Sequence, residues 1–401
     1  MLAESRGSAA CPSPSRRGEE GNSSFLTKRI AAAAIDGILR SMRLFLSGDV
    51  MTGRGIDQIL PHPNDPAIHE DYLKSAADYV ALAERASGPI PRGVPPAYIW
   101  GDALAEIERR SPDLRIVNLE TALTARGRPE PKGINYRMNP ANVACLTAAG
   151  IGCCVLANNH VLDWGEDGFA DTLAALEGAG IVAAGAGRDA ETAWRPAILP
   201  APGGRLLVFA VGCASAGVPA SWAADPQRPG VARIGEADDE SARRIARHVE
   251  SWRKPGDTVV VSIHWGGNWG YAIPGEHRRF ATILAAEAGV DIVHGHSSHH
   301  PIALETVDGR PVLYGCGDFI NDYEGISGYE AYRPDLSLAY VIDIGDGPTR
   351  VTMVPFRMRR FRLERATAAD AKWLAQRLDR ECRRLGSRIA LDGDGCLVLQ
   401  A

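Results

Sequence analysis

Polar residues suited to acid–base and metal chemistry follow the apolar runs of this 401-residue chain. Carboxylates follow the first two runs, as Asp49 and Glu120. An amide and an imidazole follow the third, as Asn159 and His160. Later runs end in histidines: His264, His294, His296, His299 and His300. Carboxylate, amide and imidazole donors that converge in this way are typical of a site for divalent transition metals, with a carboxylate bridging two ions. The pattern predicts one polar site suited to a pair of Mn, Fe or Zn ions.

Each of these residues taken alone has a simpler structural explanation. Asp49 alone is more often a turn or cap residue, and Glu120 alone is more often a half-buried salt-bridge partner. His264 alone would more often be a core histidine with its hydrogen bonds satisfied. Asn159 could simply cap the helix that follows it, with no role in a site, and His299 could lie on a surface loop. Because the whole set follows apolar runs in order, the set favours a shared site.

The elements that must position these residues are predicted as βαβ units, since short apolar runs alternate with helix-like segments. The predicted strands are Leu44–Leu46, Leu114–Leu119, Cys153–Leu156, Leu206–Val211, Thr258–Ile263, Val290–Val293 and Val312–Tyr314. The predicted helices are Ala103–Arg110, Ala141–Ala149, Gly165–Gly180, Glu236–Arg253 and Glu276–Ala288. In such sheets ligands gather beyond the carboxyl ends of the strands, where loops can present polar groups.

Three further segments lie outside this alternation. Residues 61–96 are bounded by prolines and predict an insertion that caps one end of the sheet, with a helix-like middle. The runs Leu338–Ile344 and Arg350–Pro355 flank a Gly-Asp-Gly turn and predict a hairpin. The tail predicts an amphipathic helix from Thr367 to Leu385, with Thr367 as its N-cap, and a final strand at Cys396–Leu399.

The chain is predicted to divide into three parts. Residues 1–41 are rich in Ser, Gly, Arg and Glu and predict a disordered extension, with a short helix around Phe25 to Leu39. Residues 42–360 form the main domain, and residues 361–401 form a C-terminal helix and tail. Because a strand begins directly at Met42, we expect the natural start of the protein there.

Composition excludes several classes of protein. The net charge of −5 shows no basic excess, which argues against nucleic acid as the main partner. The Arg-rich stretches 357–365 and 377–384 are interpreted as solvated faces, with anion binding as the alternative. The eight cysteines lie mostly in apolar runs without CxxC spacing, which indicates reduced core residues of a cytoplasmic protein. No stretch approaches the ~20 apolar residues of a membrane span.

At these residues the chain resembles the CapA family, the poly-γ-glutamate capsule-synthesis branch of the calcineurin-like metallophosphatases. The resemblance spans about residues 43–345. It rests on Gly48-Asp49-Val50-Met51, Asn118-Leu119-Glu120-Thr121, Ala157-Asn158-Asn159-His160, Ile263-His264-Trp265-Gly266, Gly289-Val290-Asp291-Ile292-Val293, and Gly295-His296 with His299. It implies an α/β fold of metallophosphatase type: a four-layer αββα sandwich with mixed sheets and flanking helices, whose strand ends hold a metal pair.

The resemblance also implies a role for each matching residue. The implied metal ligands are Asp49, Glu120, Asn159, His264, His296 and His299. Asp49 would bind the first metal, and Glu120 would bridge both. Asn159 and His264 would bind the second metal, and the closing histidine pair would give one ligand to each. His160 would protonate the leaving group, and Asp49 and His296 are counted with it as catalytic.

The chain departs from the family pattern at three places. Met51 stands where the wider superfamily has a histidine ligand, and because methionine is a poor ligand for hard ions, the first metal site is expected to be weak or empty. The final motif, residues 295–299, keeps the spacing of its outer histidines, His296 and His299. Because His294 and His300 lie beside them, it is left open which of the four coordinate. The acidic loop after Gly317 could supply Asp318 or Asp322 to the site, or form only a turn.

Two functions of different classes follow. The first is a metal-dependent hydrolase of a phosphoester or of a peptide or polymer bond, linked to capsule or poly-γ-glutamate synthesis, with an anionic polymer or a phosphorylated or peptide substrate. The second is a descendant on the same scaffold that does not hydrolyse. It would be an accessory protein that binds an anionic polymer, or a metal-independent acid/base enzyme such as a peptide epimerase.

Overall fold

The computed structural model describes residues 41–400. The predicted N-terminal extension and its short helix lie outside the described residues, apart from Ser41. The strands are β1 (Met42–Val50), β2 (Leu114–Leu119), β3 (Ala122–Leu123), β4 (Arg137–Met138), β5 (Cys153–Val155), β6 (Val182–Ala184), β7 (Ala186–Gly187), β8 (Ala197–Ala201), β9 (Gly204–Cys213), β10 (Gly230–Val231), β11 (Arg233–Ile234), β12 (Thr258–His264), β13 (Ile292–His296), β14 (Leu304–Val307), β15 (Arg310–Leu313), β16 (Asp318–Ile320), β17 (Leu336–Ile344), β18 (Arg350–Arg359), β19 (Arg362–Arg365), β20 (Arg388–Leu391) and β21 (Leu397–Gln400). The helices are α1 (Ala76–Ser87), α2 (Asp102–Arg110), α3 (Ala144–Ala148), α4 (Gly165–Gly178), α5 (Ala190–Trp194), α6 (Asp239–Trp252), α7 (Gly275–Thr282) and α8 (Ala368–Arg383).

Two mixed sheets carry the architecture. The larger sheet runs in the order β20-β21-β18-β17-β1-β2-β5-β6, with β16 beside β1 and β19 beside β18. The smaller sheet runs β11-β9-β12-β13-β15-β14, with β8 beside β9. Strand β1 is parallel to β2 and antiparallel to β17, and β12 is parallel to both of its neighbours. The carboxyl ends of β1, β2 and β5 therefore lie on one edge of the larger sheet, and those of β9, β12 and β13 on one edge of the smaller.

Alternating side chains along β9 show how the layers stack. Leu206 and Val208 belong to the core cluster that also contains the larger sheet, whereas Leu207 and Phe209 pack with residues of α6 and α7. Successive side chains of a strand point to opposite faces of its sheet. The smaller sheet is therefore covered by the larger sheet on one face and by helices on the other. The predicted αββα sandwich with mixed sheets is confirmed.

Several predicted elements are also confirmed. Strand β2 has the predicted bounds, and β17 pairs antiparallel with β18 as the predicted hairpin. Thr367 caps α8 by accepting a hydrogen bond from the backbone N–H of Asp370. Helix α1 lies in the helix-like middle of the predicted insertion. Strand β21 pairs with β18, so the tail extends the larger sheet. No helix among residues 41–400 combines the length and the apolar character needed to cross a membrane.

Candidate metal centre

Asp49 lies near the end of β1, where the two sheets meet. Its backbone N–H donates to the carbonyl oxygen of Gly317, at 3.0 Å. A Cβ on the preceding Gly48 would lie 1.8 Å from that same oxygen, so only glycine fits there. The side chain is fully buried. Asn118 Nδ2 donates to Asp49 Oδ1 at 2.7 Å, and the backbone N–H of Ser297 donates to Oδ2 at 3.2 Å.

Three carboxylates are buried together at this edge. Asp49 is fully buried, and Glu120 and Asp318 each expose 2%. Burial, and to a lesser extent repulsion from Asp318, raises the pKa of Asp49 to about 7. Burial and then Asp49 raise the pKa of Glu120 well above its usual range. Within residues 41–400, Glu120 Oε2 has no hydrogen-bond partner. Since a buried carboxylate is costly unless a charge or donor compensates it, the residues present fit a bound cation.

A first group of donor atoms comes from Asp49, His264 and His296, which lie within 4.8 Å of one another. His264 Nδ1 is 2.8 Å from His296 Nδ1, which is 3.8 Å from Asp49 Oδ1. Ser262 Oγ is 2.8 Å from His296 Nε2 and orients that ring. Burial lowers the pKa of both histidines well below the usual value. Both rings are therefore neutral, which is the form that binds metals.

A second group also includes Asp49, together with His299 and Asp318, again within 4.8 Å. Strand β16 runs parallel to β1 and pairs Asp318 directly with Asp49. His299 Nδ1 is 3.0 Å from Asp318 Oδ1, and Asn321 Nδ2 donates to Asp318 Oδ2 at 3.0 Å. Burial disfavours the protonated form of His299, but the Asp318 carboxylate outweighs it and raises the pKa of the ring.

Asn159 and Glu120 approach the other nitrogen of His264. His264 Nε2 lies 3.1 Å from Asn159 Oδ1 and 3.6 Å from Glu120 Oε1. These donors come from the loops after β5 and β2. The neighbouring Asn158 turns away: its Nδ2 donates to the side chain of Asn118 at 3.0 Å. The amide at 159 is therefore the one that reaches the centre.

His160 lies beside these donors in a chain of charged groups. Its Nδ1 is 2.6 Å from Asp163 Oδ2, and its Nε2 is 3.8 Å from Glu120 Oε1. Lys132 Nζ is 2.6 Å from Asp163 Oδ1 and also donates to the carbonyl oxygen of Asn159. Burial lowers the pKa of His160 to about 4, although Asp163 acts in the opposite direction.

Comparison with known proteins decides the family. The profile of the family described as "Bacterial capsule synthesis protein PGA_cap" matches residues 43–323. The chain belongs to the PGA_cap family. The family resemblance predicted from the strand-end motifs is thereby confirmed.

Relatives of the chain carry related descriptions. A "Probable polyglutamine synthesis accessory protein" of Mycobacterium tuberculosis (strain ATCC 25618 / H37Rv) is 47% identical over 360 residues, which cover 88% of this chain and 94% of that protein. The "PGA biosynthesis protein CapA" of Bacillus subtilis is 27% identical over 191 residues, 48% of each chain. The "Capsule biosynthesis protein CapA" of Bacillus anthracis is also 27% identical over 191 residues, covering 48% and 45%.

In this PGA_cap chain, the structure brings together every residue predicted for the site. They are Asp49, Glu120, Asn159, His160, His264, His296 and His299. Their individual roles stay predictions. Asp318, one of two residues considered in the acidic loop, joins them. Asp322 does not, because both of its oxygens hold the guanidinium of buried Arg54, at 2.5 and 3.1 Å.

Two of the clustered histidines face other partners. His294 Nε2 is 2.9 Å from the carbonyl oxygen of Ser47, which joins the two sheets. His300 accepts a hydrogen bond from the backbone N–H of Gly270 and stacks on Trp269. His294 thus has a structural hydrogen bond in the core, and His300 lies in an aromatic cluster beside the site.

Sequence reasoning missed the groups that support the PGA_cap site. Asp163 and Lys132 were not predicted. Asp163 follows His160 by three residues, and a carboxylate at that spacing was a usable signal for a partner of the imidazole. Ser262 was missed because it lies inside β12, in an apolar run, and only the pairing of β12 with β13 places it beside His296.

Proposed function

We propose that this PGA_cap protein is a metal-dependent hydrolase, acting on a phosphoester or on a peptide or polymer bond, in the service of capsule or poly-γ-glutamate synthesis. The observation that carries the proposal is the buried convergence of Asp49, Glu120 and Asp318 with neutral histidines. The description of the Mycobacterium relative as a polyglutamine synthesis accessory protein supports a place beside polymer synthesis. An anionic polymer, or a phosphorylated or peptide compound, is then the substrate.

The residues that would hold two divalent ions are the two donor groups that share Asp49, with Asn159 and Glu120 at the outer nitrogen of His264. When bound, such ions supply Lewis acidity and lower the pKa of a coordinated water. The protein's own part is to hold these donors rigidly and away from bulk water. Asn118 and Ser297 do so for Asp49, and Ser262 does so for His296.

His160 is proposed as the group that delivers a proton to the leaving group. Asp163 lies on the Nδ1 side of the imidazole, so it fixes the tautomer and leaves Nε2 facing Glu120 and the centre. Since burial lowers the pKa of His160 to about 4, the resting ring is neutral, and Nε2 must take up a proton before it can deliver one. Asp163 stabilises the ring while that proton is present. Lys132 holds the other oxygen of Asp163, so the carboxylate cannot turn away.

The proposal is tested by replacing His264 or Asn159 with alanine. Both variants should lose turnover of phosphoester and γ-glutamyl substrates and should take up less metal, because each removes a donor. His62→Ala is the matched control, since His62 is exposed. Unaltered turnover in both site variants would contradict hydrolysis by this centre.

The second candidate is a protein that does not hydrolyse, either a polymer-binding accessory protein or a metal-independent acid/base enzyme such as a peptide epimerase. The word "accessory" in the description of the 47% identical relative favours the first form. The pKa of Asp49, raised to about 7 by burial and by Asp318, suits the second, because that carboxyl can give and take a proton near neutral pH. A metal-free preparation that keeps full activity would select this candidate.

The seven cysteines among residues 41–400 are buried and free. Burial raises the pKa of Cys153 and Cys145 to about 12. Thiols of this kind support a reducing compartment, and we place the proposed activity in the cytoplasm on that basis.

A further inference from the structure

The two donor groups of the centre differ in chemistry. The group of Asp49, His264 and His296 offers one carboxylate and two imidazoles, whereas the group of Asp49, His299 and Asp318 offers two carboxylates and one imidazole. Asp49 is common to both. Glu120, which the family resemblance assigns as the bridging ligand, belongs to neither of these groups.

Strand pairing and hydrogen bonds position the residues of the second group, as they do those of the first. Parallel pairing of β1 with β16 sets Asp318 opposite Asp49. Asn321 holds the outer oxygen of Asp318, and the backbone N–H of His299 donates to the carbonyl oxygen of Asn268 at 2.9 Å. Asp49, Asp318 and His299 expose 0%, 2% and 9% of their surface, so solvent does little to screen the charges.

No arginine or lysine side chain described in residues 41–400 is free to pair with the buried carboxylates at this edge, where His299 is the group beside Asp318. Arg54 lies nearby, but it is engaged by Asp322 and by Glu70, at 2.5 and 2.9 Å. Lys132 is engaged by Asp163. Glu120, next to Asp49, keeps Oε2 without a hydrogen-bond partner among residues 41–400. An unpartnered carboxylate oxygen that is almost fully buried is an independent indication of a bound cation at this edge.

Met51 was expected to weaken the first metal site, but Asp318 offers a ligand beside it. Met51 is fully buried after Asp49, and its backbone N–H donates to the carbonyl oxygen of Ile320, the last residue of β16. Its thioether offers little to a hard cation. Asp318, at the start of the same strand, presents a carboxylate instead.

We infer that Asp318, with Asp49 and His299, forms a second cation position in this protein, with Asp49 as the carboxylate common to both positions. The inference deepens the proposed function and rests on it. Because carboxylates suit Mn²⁺ and imidazoles suit Zn²⁺, the Asp318 position favours Mn²⁺ more than the His264–His296 position does.

The test is Mn²⁺ binding to the full chain, counted by equilibrium dialysis and read by electron paramagnetic resonance. The wild-type protein should bind about two Mn²⁺, with the exchange-coupled spectrum of ions that share a carboxylate. Asp318→Asn keeps the shape of the side chain and removes its charge. It should bind about one Mn²⁺ and give the spectrum of isolated ions.

A second variant leaves every proposed ligand in place. Asn321→Ala removes the amide that holds Asp318, so the weaker-bound Mn²⁺ should lose about 10- to 100-fold in affinity. It carries the test if circular dichroism shows that Asp318→Asn does not fold. Asp335→Asn is the matched control. Asp335 lies on the same loop as Asn321, between β16 and β17, and its side chain pairs with Arg333 and Arg357 and with none of the proposed ligands. It should bind Mn²⁺ like the wild type.

The inference is overturned if folded Asp318→Asn binds two coupled Mn²⁺ at wild-type affinity, or if the wild-type chain binds fewer than two. A wild-type chain that binds a single ion and still hydrolyses would overturn this inference and leave the proposed function standing. Two coupled ions without any hydrolysis would do the reverse.

Discussion

At the scale of single residues, Asp49 is the point on which the centre depends. It receives one hydrogen bond from Asn118 and one from Ser297, which is modest support for a fully buried carboxylate. Its nearest charged neighbours include two further buried acids, so ionisation of Asp49 is opposed by burial and by repulsion. A divalent cation reverses that balance, because it attracts the ionised form.

This balance predicts how Mn²⁺ affinity depends on pH. Burial and Asp318 raise the pKa of Asp49 to about 7, so below that pH a cation must displace its proton. Affinity should therefore rise with pH toward 7, by about tenfold per pH unit for each proton displaced. Isothermal titration between pH 5.5 and 7.5 measures it. An affinity that does not change over this range would contradict the assigned state of Asp49.

A second residue-scale prediction concerns Asp163. Asp163→Asn removes the carboxylate that holds the Nδ1 side of His160 and the ammonium of Lys132. If His160 delivers the proton, kcat should fall by about 10²-fold or more, while the number of bound metal ions stays unchanged.

The control for that prediction is Asp171→Asn. It removes a carboxylate on helix α4 that pairs with Arg126. It should leave kcat unaltered. Loss of metal from Asp163→Asn, or an unchanged kcat with full metal content, would show that Asp163 does not act through the proton-donating ring.

At the scale of elements, β1 and the turn before β16 approach each other as closely as a backbone allows. The close contact of Gly48 with the carbonyl oxygen of Gly317 lets β16 pair with β1 and so places Asp318 opposite Asp49. Across the site, Ser297 adopts φ 102°, a region that non-glycine residues rarely occupy. The N–H of the same residue donates to Asp49, so a strained backbone position lies beside the centre.

Gly48→Ala tests this close approach. The added methyl group would lie 1.8 Å from the Gly317 oxygen, so β1 and the turn before β16 must separate. The free energy of unfolding should drop by about 3 kcal/mol or more, measured by denaturant titration. Gly178→Ala, whose added carbon would meet no atom within 4 Å, should lose no stability, because alanine favours a helix more than glycine does. Equal stabilities of the two variants would contradict the contact.

The elements also show where sequence reasoning succeeded and where it stopped. Apolar runs followed by polar residues identified β1, β2 and β12 and the ends that carry Asp49, Glu120 and His264, because that signal is local. Strand β16 is only three residues long, and its pairing with β1 joins segments far apart in the chain. Its Asp318 could therefore be named only as one of two acids in a loop. Asp163 lies in a turn, where carboxylates are common for local reasons.

At the scale of the whole molecule, the C-terminal segment belongs to the sandwich. Strand β21 hydrogen-bonds to β18, and β20 extends the same sheet. Leu374 and Leu378 of α8 are buried in the core cluster that also contains the larger sheet. The boundary predicted at residue 360 stays a proposal about domain organisation, but the segment that follows it packs as a part of this sheet.

A chain that ends at Ala366 should therefore not fold cooperatively. Burial of one large apolar side chain stabilises by about 1.5–3 kcal/mol, and a folded domain is stable by only about 5–15 kcal/mol. Circular dichroism melts and gel filtration of the truncated chain measure the effect. Lys372→Ala, an exposed change on α8, should melt like the wild type. A truncated chain that melts cooperatively at the wild-type temperature would contradict the assignment.

The most direct test of the centre is the metal content of wild-type protein purified without chelators or a metal-affinity step. Plasma mass spectrometry should find about two equivalents of Mn, Fe or Zn per chain, because the buried carboxylates and neutral histidines together suit two cations. Protein that carries no divalent metal, and takes up none on dialysis against Mn²⁺, would contradict the metal centre and leave the second candidate, a polymer-binding accessory protein or a metal-independent acid/base enzyme.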